Sequence, residues 1–192
     1  VDLFPMLNLN QFNEASKQIS RFTDLNYIEC KSIDEMSKNY NIKYLAPVDM
    51  VSHPFADNYF DGCVSTNTLE HIPKEEVINI FKGLKRTIKP GGFISIKIDY
   101  SDHYSHTDRK IGSLNFLKFS ESDWIKYNHP SHFQNRLRHD DFIRIFEDIG
   151  YFVKKEEGLN SESLPSECSV EFNGDKKMSS YTSGLFLLTV SN

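Results

Sequence analysis

Lys85-Arg86-Thr87-Ile88-Lys89-Pro90-Gly91-Gly92, followed at once by Phe93-Ile94-Ser95-Ile96-Lys97-Ile98, reads as the end of a helix running into a strand. Proline removes a backbone donor and glycine accepts left-handed backbone, so Pro90-Gly91-Gly92 is a stop signal. The β-branched run behind it, bounded by turn residues, is a strand pattern. Upstream, Pro73 opens a segment with Glu75 and Glu76 in its first turn and apolar residues at Val77, Phe81, Leu84 and Ile88. Proline at the start and acids in the first turn complement the unpaired amides and the dipole of a helix N-terminus. The spacing therefore predicts a helix that runs from Pro73 to the Pro90 stop and delivers the chain into a strand.

The same grammar recurs on either side. Phe12, Ala15, Ile19 and Phe22 fall on one helical face with Asn10 available as the cap. Phe142, Ile145, Phe146 and Ile149 do so behind Asp140 and Asp141, and Gly150 ends that segment. Short β-branched or aromatic runs at 42–48, 62–65, 93–98, 151–154 and 185–190 are the expected strands. Strands alternating with helices imply an α/β fold with a parallel sheet covered on both faces. The last two strands, separated by a Ser-rich, loop-like stretch at 158–184, are expected to form a C-terminal β-hairpin with one strand antiparallel to the rest. With neither repeat nor linker visible, 1–192 reads as a single domain.

Composition narrows the function classes. At 192 residues, 39% hydrophobic and 26% charged, the chain has the make-up of an ordinary soluble globular protein. Lys+Arg 22 against Asp+Glu 27 gives a net charge of −5, and no basic block is present to neutralise a phosphate backbone, so nucleic acid is not an expected partner. The longest uninterrupted apolar stretch, Leu185-Phe186-Leu187-Leu188, falls far short of the roughly 20 residues that span a bilayer, so no membrane is expected either. Cys30, Cys63 and Cys168 are too scattered for a disulfide framework or a CxxC metal site, which fits a reducing cytoplasm.

Four features occur in order. Val1-Asp2-Leu3 and Pro47-Val48-Asp49-Met50 each read as a strand ending in an acid. Pro54-Phe55-Ala56-Asp57-Asn58-Tyr59-Phe60-Asp61 and Asn67-Thr68-Leu69-Glu70-His71-Ile72 follow. Open α/β sheets bind ligands outside the carboxyl ends of their strands, and an acid there can accept from ribose hydroxyls or an adenine amine. Together with the Lys-Pro-Gly-Gly stop and its strand, the pattern resembles the class I S-adenosylmethionine-dependent methyltransferases, type 11-like. The resemblance covers nearly all of the chain and implies a Rossmann-like sheet with helices on both faces and S-adenosylmethionine as cofactor. It makes Asp2 the ribose ligand, Asp49 and Met50 the adenine neighbours, and Asn67, Leu69 and His71 the wall beside the methionine half. Rival roles are a frayed terminal acid for Asp2, a turn or helix cap for Asp49, and a backbone-bonded helix-start residue for His71.

The family's glycine-rich loop between its first strand and first helix is absent, and Gly91-Gly92 cannot replace it. Asp2 matches the end of the family's second strand, so the first strand–helix unit is expected to be missing and the chain to be an N-terminally truncated piece of a longer protein, inactive by itself.

The long insertion at 99–138 resembles the substrate-facing insertion of bacterial methyltransferases associated with cell-surface sugar or other small-molecule biosynthesis. It implies an aromatic wall of Tyr100, His103, Tyr104 and Phe116, with Arg136 or Arg138 as anionic anchor. The alternative is a lid packed on its own aromatics with its arginines salt-bridged. His103, just after a strand, is the candidate general base, with Asp102 or Asp99 to orient it. Asp99, Asp102, His103, His106 and Asp108 also offer oxygen and nitrogen ligands, but their spacing matches no metal motif, so no metal is expected. The expected function is methyl transfer to a small-molecule acceptor, such as a sugar or cell-surface glycan precursor. The alternative is a non-catalytic binding or scaffolding module with the same fold. A nicotinamide dehydrogenase would need a G-x-G-x-x-G run, which is missing.

Overall fold

The structure, a computed structural model, describes residues 1–172 and 179–190 and divides the chain into two compact units, Val1–His53 and Pro54–Asn192.

The first unit contains helices α1 (Leu9–Ile19) and α2 (Ile33–Tyr40). Asn8, rather than Asn10, caps α1, its side chain accepting from the amides of Asn10 and Gln11. The face that α1 buries carries Asn13 and Ser16, while Ile19 and Phe22 are exposed. Asn13 explains this choice, because its amide side chain exchanges two hydrogen bonds with the backbone of Cys30, at 2.8 and 2.9 Å. The strands expected at 1–3 and 42–48 are not formed. In their place two backbone bonds join the segments, Asp2 N–H to Leu45 O at 3.1 Å and Val48 N–H to Asp2 O at 2.8 Å. Pro47 has no amide to donate, so the pairing cannot extend as a regular ladder.

The second unit is built on a four-stranded sheet: β1 (Phe60–Thr66), β2 (Ile88–Asp99), β3 (Phe152–Ser161) and β4 (Tyr181–Thr189), in the order β1-β2-β4-β3. β1 and β2 are parallel, joined by helix α3 (Lys74–Thr87), while β4 runs antiparallel to both of its neighbours. The expected C-terminal hairpin is therefore present, with strands that reach further into 158–184 than a loop allows; residues 173–178 of that stretch lie outside the described residues. A short helix α4 (Glu121–Trp124) and helix α5 (His139–Ile149) lie between β2 and β3 in the chain.

Helix α3 ends three residues before Pro90, because a residue ahead of proline favours extended backbone and Ile88 already pairs with Phe60. The ladder resumes at Gly62 and Phe93, so Lys89-Pro90-Gly91-Gly92 bulges out of it. Gly91 takes a φ of 77°, and a Cβ at Gly92 would meet Asp61 O at 2.8 Å, so this bulge requires its glycines. The core lies between α3, α5 and the sheet: Val77, Phe81 and Leu84 meet Phe142, Phe146 and Tyr151 over Ile94, Ile96, Ile98, Phe186 and Leu188. The opposite face of β1 and β2 carries exposed Val64 and Phe93.

Candidate active site

The carboxyl end of β1 turns through Asn67, whose φ is 49°, into a 3-10 turn at Leu69–His71. The carboxyl end of β2 passes through Asp99 and Tyr100 into a second turn at His103–His106. Parallel strands put these two ends side by side, and their side chains meet. The His71 and His103 rings lie 4.9 Å apart, and His103 stacks on His106 at 4.8 Å.

Residues 133–135 hold the two turns in place. The Asn135 side chain donates to Leu69 O and Ile72 O at 2.7 and 2.8 Å, and its amide donates to Glu70 O. The Gln134 side chain donates to Ser101 O and accepts from the His103 amide. Phe133 O lies 2.9 Å from His71 Nδ1. Sequence reading missed both Gln134 and Asn135 as positioning residues.

Asp99, not Asp102, faces the His103 imidazole. Its Oδ2 lies 3.6 Å from His103 Nε2, and its Oδ1 accepts from the Ser101 amide and hydroxyl at 2.8 and 2.6 Å. Burial pushes the Asp99 carboxyl up, but the facing His103 imidazole and the hydrogen bonds from Ser101 outweigh it and hold the group at about 2. The carboxylate raises His103 in turn, against the effect of its burial. Asp102 is buried and caps the turn through the Tyr104 amide at 2.9 Å, with Asn115 as a further partner, so of the two acids expected to orient His103 it is Asp99 that faces the ring.

A cleft of about 280 Å³, lined by Asp99 of this pair but not by His103, opens among Asn67, Lys97, Ser101, Thr182 and Ser183. Its lining is polar throughout.

The remaining candidates divide by what their polar atoms already do. Arg138 is fully buried and donates to Tyr100 O, Ser179 O and Tyr181 O. Arg136 is buried against Trp124 and Phe172, donates to Phe116 O and Phe119 O, and pairs with Glu121 at 2.6 Å. An anionic anchor at either arginine is not found, because the terminal nitrogens of both guanidinium groups are bonded inside the fold and the Nε of each is buried without a partner among the described residues. Tyr100 is buried with its hydroxyl 3.2 Å from His139, and Phe116 joins Leu114, Leu117 and Trp124 in a local core. Tyr104 is half exposed and donates to Tyr127 O. Much of the 99–138 insertion thus packs on its own aromatics.

In the first unit, Asp49 is exposed; its two oxygens accept from the Val51 amide and the Ser52 hydroxyl, the turn role. Each oxygen keeps a further lone pair toward solvent. Asp2 accepts from the Tyr44 hydroxyl at 2.8 Å, and Met50 is half-buried. In the second unit Asn67 and His71 are exposed and Leu69 is core. In the first unit the exposed Asp49 carboxylate and the half-buried Met50 thioether suit an adenine edge, and the half-buried Asp2 carboxylate suits a hydroxyl; in the second the exposed Asn67 amide suits an amino-acid group.

Glu70 was passed over between its neighbours. It is 3% exposed, and neither carboxylate oxygen has a hydrogen-bond partner among the described residues. Burial pushes its carboxyl above the usual range. The signal that could have found it is the Glu70-His71 pair itself, two adjacent proton- or metal-binding side chains just past a strand end.

The family model described as Methyltransferase domain matches residues 13–96, under half of the chain. A curated relative, the biotin biosynthesis bifunctional protein BioHC of Teredinibacter turnerae, is 40% identical over 48 residues, which is 25% of this chain and 8% of that protein. Among solved structures, a SAM-dependent methyltransferase from Methanosarcina mazei is 14% identical at a TM-score of 0.47, over 75% of this chain and 65% of that one. Phosphoethanolamine N-methyltransferase 2 of Haemonchus contortus, in complex with S-adenosyl-L-methionine, is 13% identical at 0.44, over 75% and 36%. The methyltransferase domain that the motifs lead one to expect is thus matched over residues 13–96.

Proposed function

We propose that this protein transfers a methyl group from S-adenosylmethionine to a hydroxyl of a small polar acceptor, with a sugar or cell-surface glycan precursor as the acceptor class. The observation that carries the reading is the His103–Asp99 pair at the carboxyl end of β2, beside the polar cleft. Asp2, Asp49 and Met50 would bind the nucleoside, and Asn67, Leu69 and His71 would flank the methionine half. When bound, the cofactor supplies a methyl carbon on a sulfonium, so that an oxygen–carbon bond forms as the carbon–sulfur bond breaks and a neutral thioether is left.

The chain's own part is to position the acceptor and take its proton. His103 accepts that proton, and Asp99 orients the imidazole and stabilises the imidazolium. The serine, threonine and asparagine groups of the cleft hold acceptor hydroxyls, which favours a polyhydroxylated compound over an apolar one. Among the described residues no helix is long and apolar enough to cross a membrane. A bacterial cytoplasm, where such precursors are made, completes the proposal.

The test uses the full-length protein, a panel of small hydroxyl and amine acceptors, and release of S-adenosylhomocysteine as the readout. His103→Ala is expected to lower turnover by roughly 10²- to 10⁴-fold while calorimetric affinity for S-adenosylmethionine stays put. Asp49→Ala is expected to weaken that affinity about ten- to a hundredfold, the loss of a charge-assisted hydrogen bond. Near-normal turnover in His103→Ala removes the base. Cofactor binding with no transfer to any acceptor supports the binding-module alternative.

A further inference from the structure

We propose that Glu70, His71 and His103 form a site for a divalent cation of the zinc type. A carboxylate oxygen of Glu70 and one ring nitrogen from each histidine lie within 4.8 Å of one another. Two imidazoles and a carboxylate are a donor set that zinc accepts, and one in which a coordination position stays open. Zinc bonds of about 2.1 Å set neighbouring ligands about 3.4 Å apart in a tetrahedron, so the three groups need to close in by roughly 1 Å. Side-chain torsions supply that movement.

Two independent features point to a ligand here. The first is Glu70, whose buried oxygens are without hydrogen-bond partners among the described residues. A buried carboxylate left so is costly, and a cation is the partner that satisfies both oxygens at once. The second is the tautomer of His71. Phe133 O can only accept, so the 2.9 Å contact requires the hydrogen on Nδ1 and leaves the Nε2 lone pair for a metal. Asp99, His103 and His106 meet the same spacing, so His103 is shared and further donors stand ready for the remaining positions.

The consequence for activity rests on the proposed role of His103. A ring nitrogen committed to the cation cannot take a proton from the acceptor, so the metal-loaded form transfers methyl groups more slowly. Zinc therefore acts as an inhibitor at this site.

The experiment titrates chelator-treated full-length protein with zinc ion, in competition with a chromophoric chelator, and repeats it with Glu70→Gln, His71→Gln and the exposed control Asp108→Asn. Saturable binding at one ion per chain is expected, with affinity lowered about 10- to 100-fold in both cluster variants and unchanged in the control. His71 is exposed, so His71→Gln keeps the test valid should Glu70→Gln fail to fold. Cobalt substitution should give visible absorption bands of nitrogen and oxygen ligation, lost in His71→Gln. Absent binding, or binding untouched by His71→Gln, overturns the site while leaving methyl transfer intact. Zinc binding that passes these tests without slowing transfer keeps the site and removes the base role from His103.

Discussion

A guanidinium removed from solvent must find its acceptors within the protein, and Arg138 finds three carbonyls that belong to the turn after β2 and to the approach to β4. Burial pulls its pKa down to about 10, which still leaves it charged at neutral pH. Arg138→Ala would orphan those carbonyls, and denaturant unfolding should show a loss of at least about 3 kcal/mol. A change below about 1 kcal/mol would show that water replaces the donors. Cys63 offers a gentler test. Burial raises its thiol above the ordinary value of 9.0, so the thiolate is scarce near neutrality. Alkylation of Cys63 in the native protein should be slow at pH 8 and should climb only well above pH 9, whereas rapid reaction at pH 8 would mean an open, ionised thiol. Residue type was readable in advance, but its employment was not. Arg136 and Arg138 look like anion anchors in a string of letters, and only burial shows their donors turned inward. Glu70, conversely, is ordinary in sequence and conspicuous once its oxygens are seen to lack partners.

Helices α3 and α5 illustrate how far local grammar reaches. Acids in the first turn, apolar residues at helical spacing and a glycine after the last turn located both to within a few residues. Gly150 adopts a φ of 88° as the left-handed cap of α5, and Lys85 from α3 donates to Ile149 O at 2.7 Å, closing that helix end from outside. Gly150→Ala forces a side chain into left-handed backbone and crowds the Lys85 amine, so thermal unfolding should register a cost of about 1 kcal/mol. An unchanged transition would place the cap elsewhere. Helix α2 escaped notice because Met36 is its single buried residue, too little for an apolar period. Its signals were chemical instead: Ser32 accepts from the Glu35 amide while the Glu35 side chain accepts from the Lys31 amide, and Asn41 ends the helix at a φ of 54°. The strand expected at 42–48 failed for the opposite reason. Its β-branched composition is real, but a strand exists only with a partner along its length, and the backbone bonds between the two segments run from Asp2 to Leu45 and from Val48 to Asp2.

At the scale of the molecule, the two compact units differ sharply in what they bury. Val1–His53 has Cys30 and Met36 as its buried apolar side chains, whereas Pro54–Asn192 packs aromatic and branched residues from α3, α5 and the sheet. A unit with so little buried apolar surface opens at low free energy. Far-UV circular dichroism should therefore begin to fall at lower denaturant than the fluorescence of Trp124, which reports on the second unit alone. Coincident curves would show one cooperative structure. By itself the sequence determined the α/β class, the placement of helices α3 and α5 and of strands β2, β3 and β4, and the antiparallel C-terminal hairpin, because capping and periodicity are local and survive in one dimension. Tertiary structure decided the rest. Asp99 rather than Asp102 faces His103, Asn135 fastens the turn at Leu69–His71, and Glu70 meets His71 and His103, since each of these depends on chain segments far apart in sequence being brought side by side at the carboxyl ends of parallel strands.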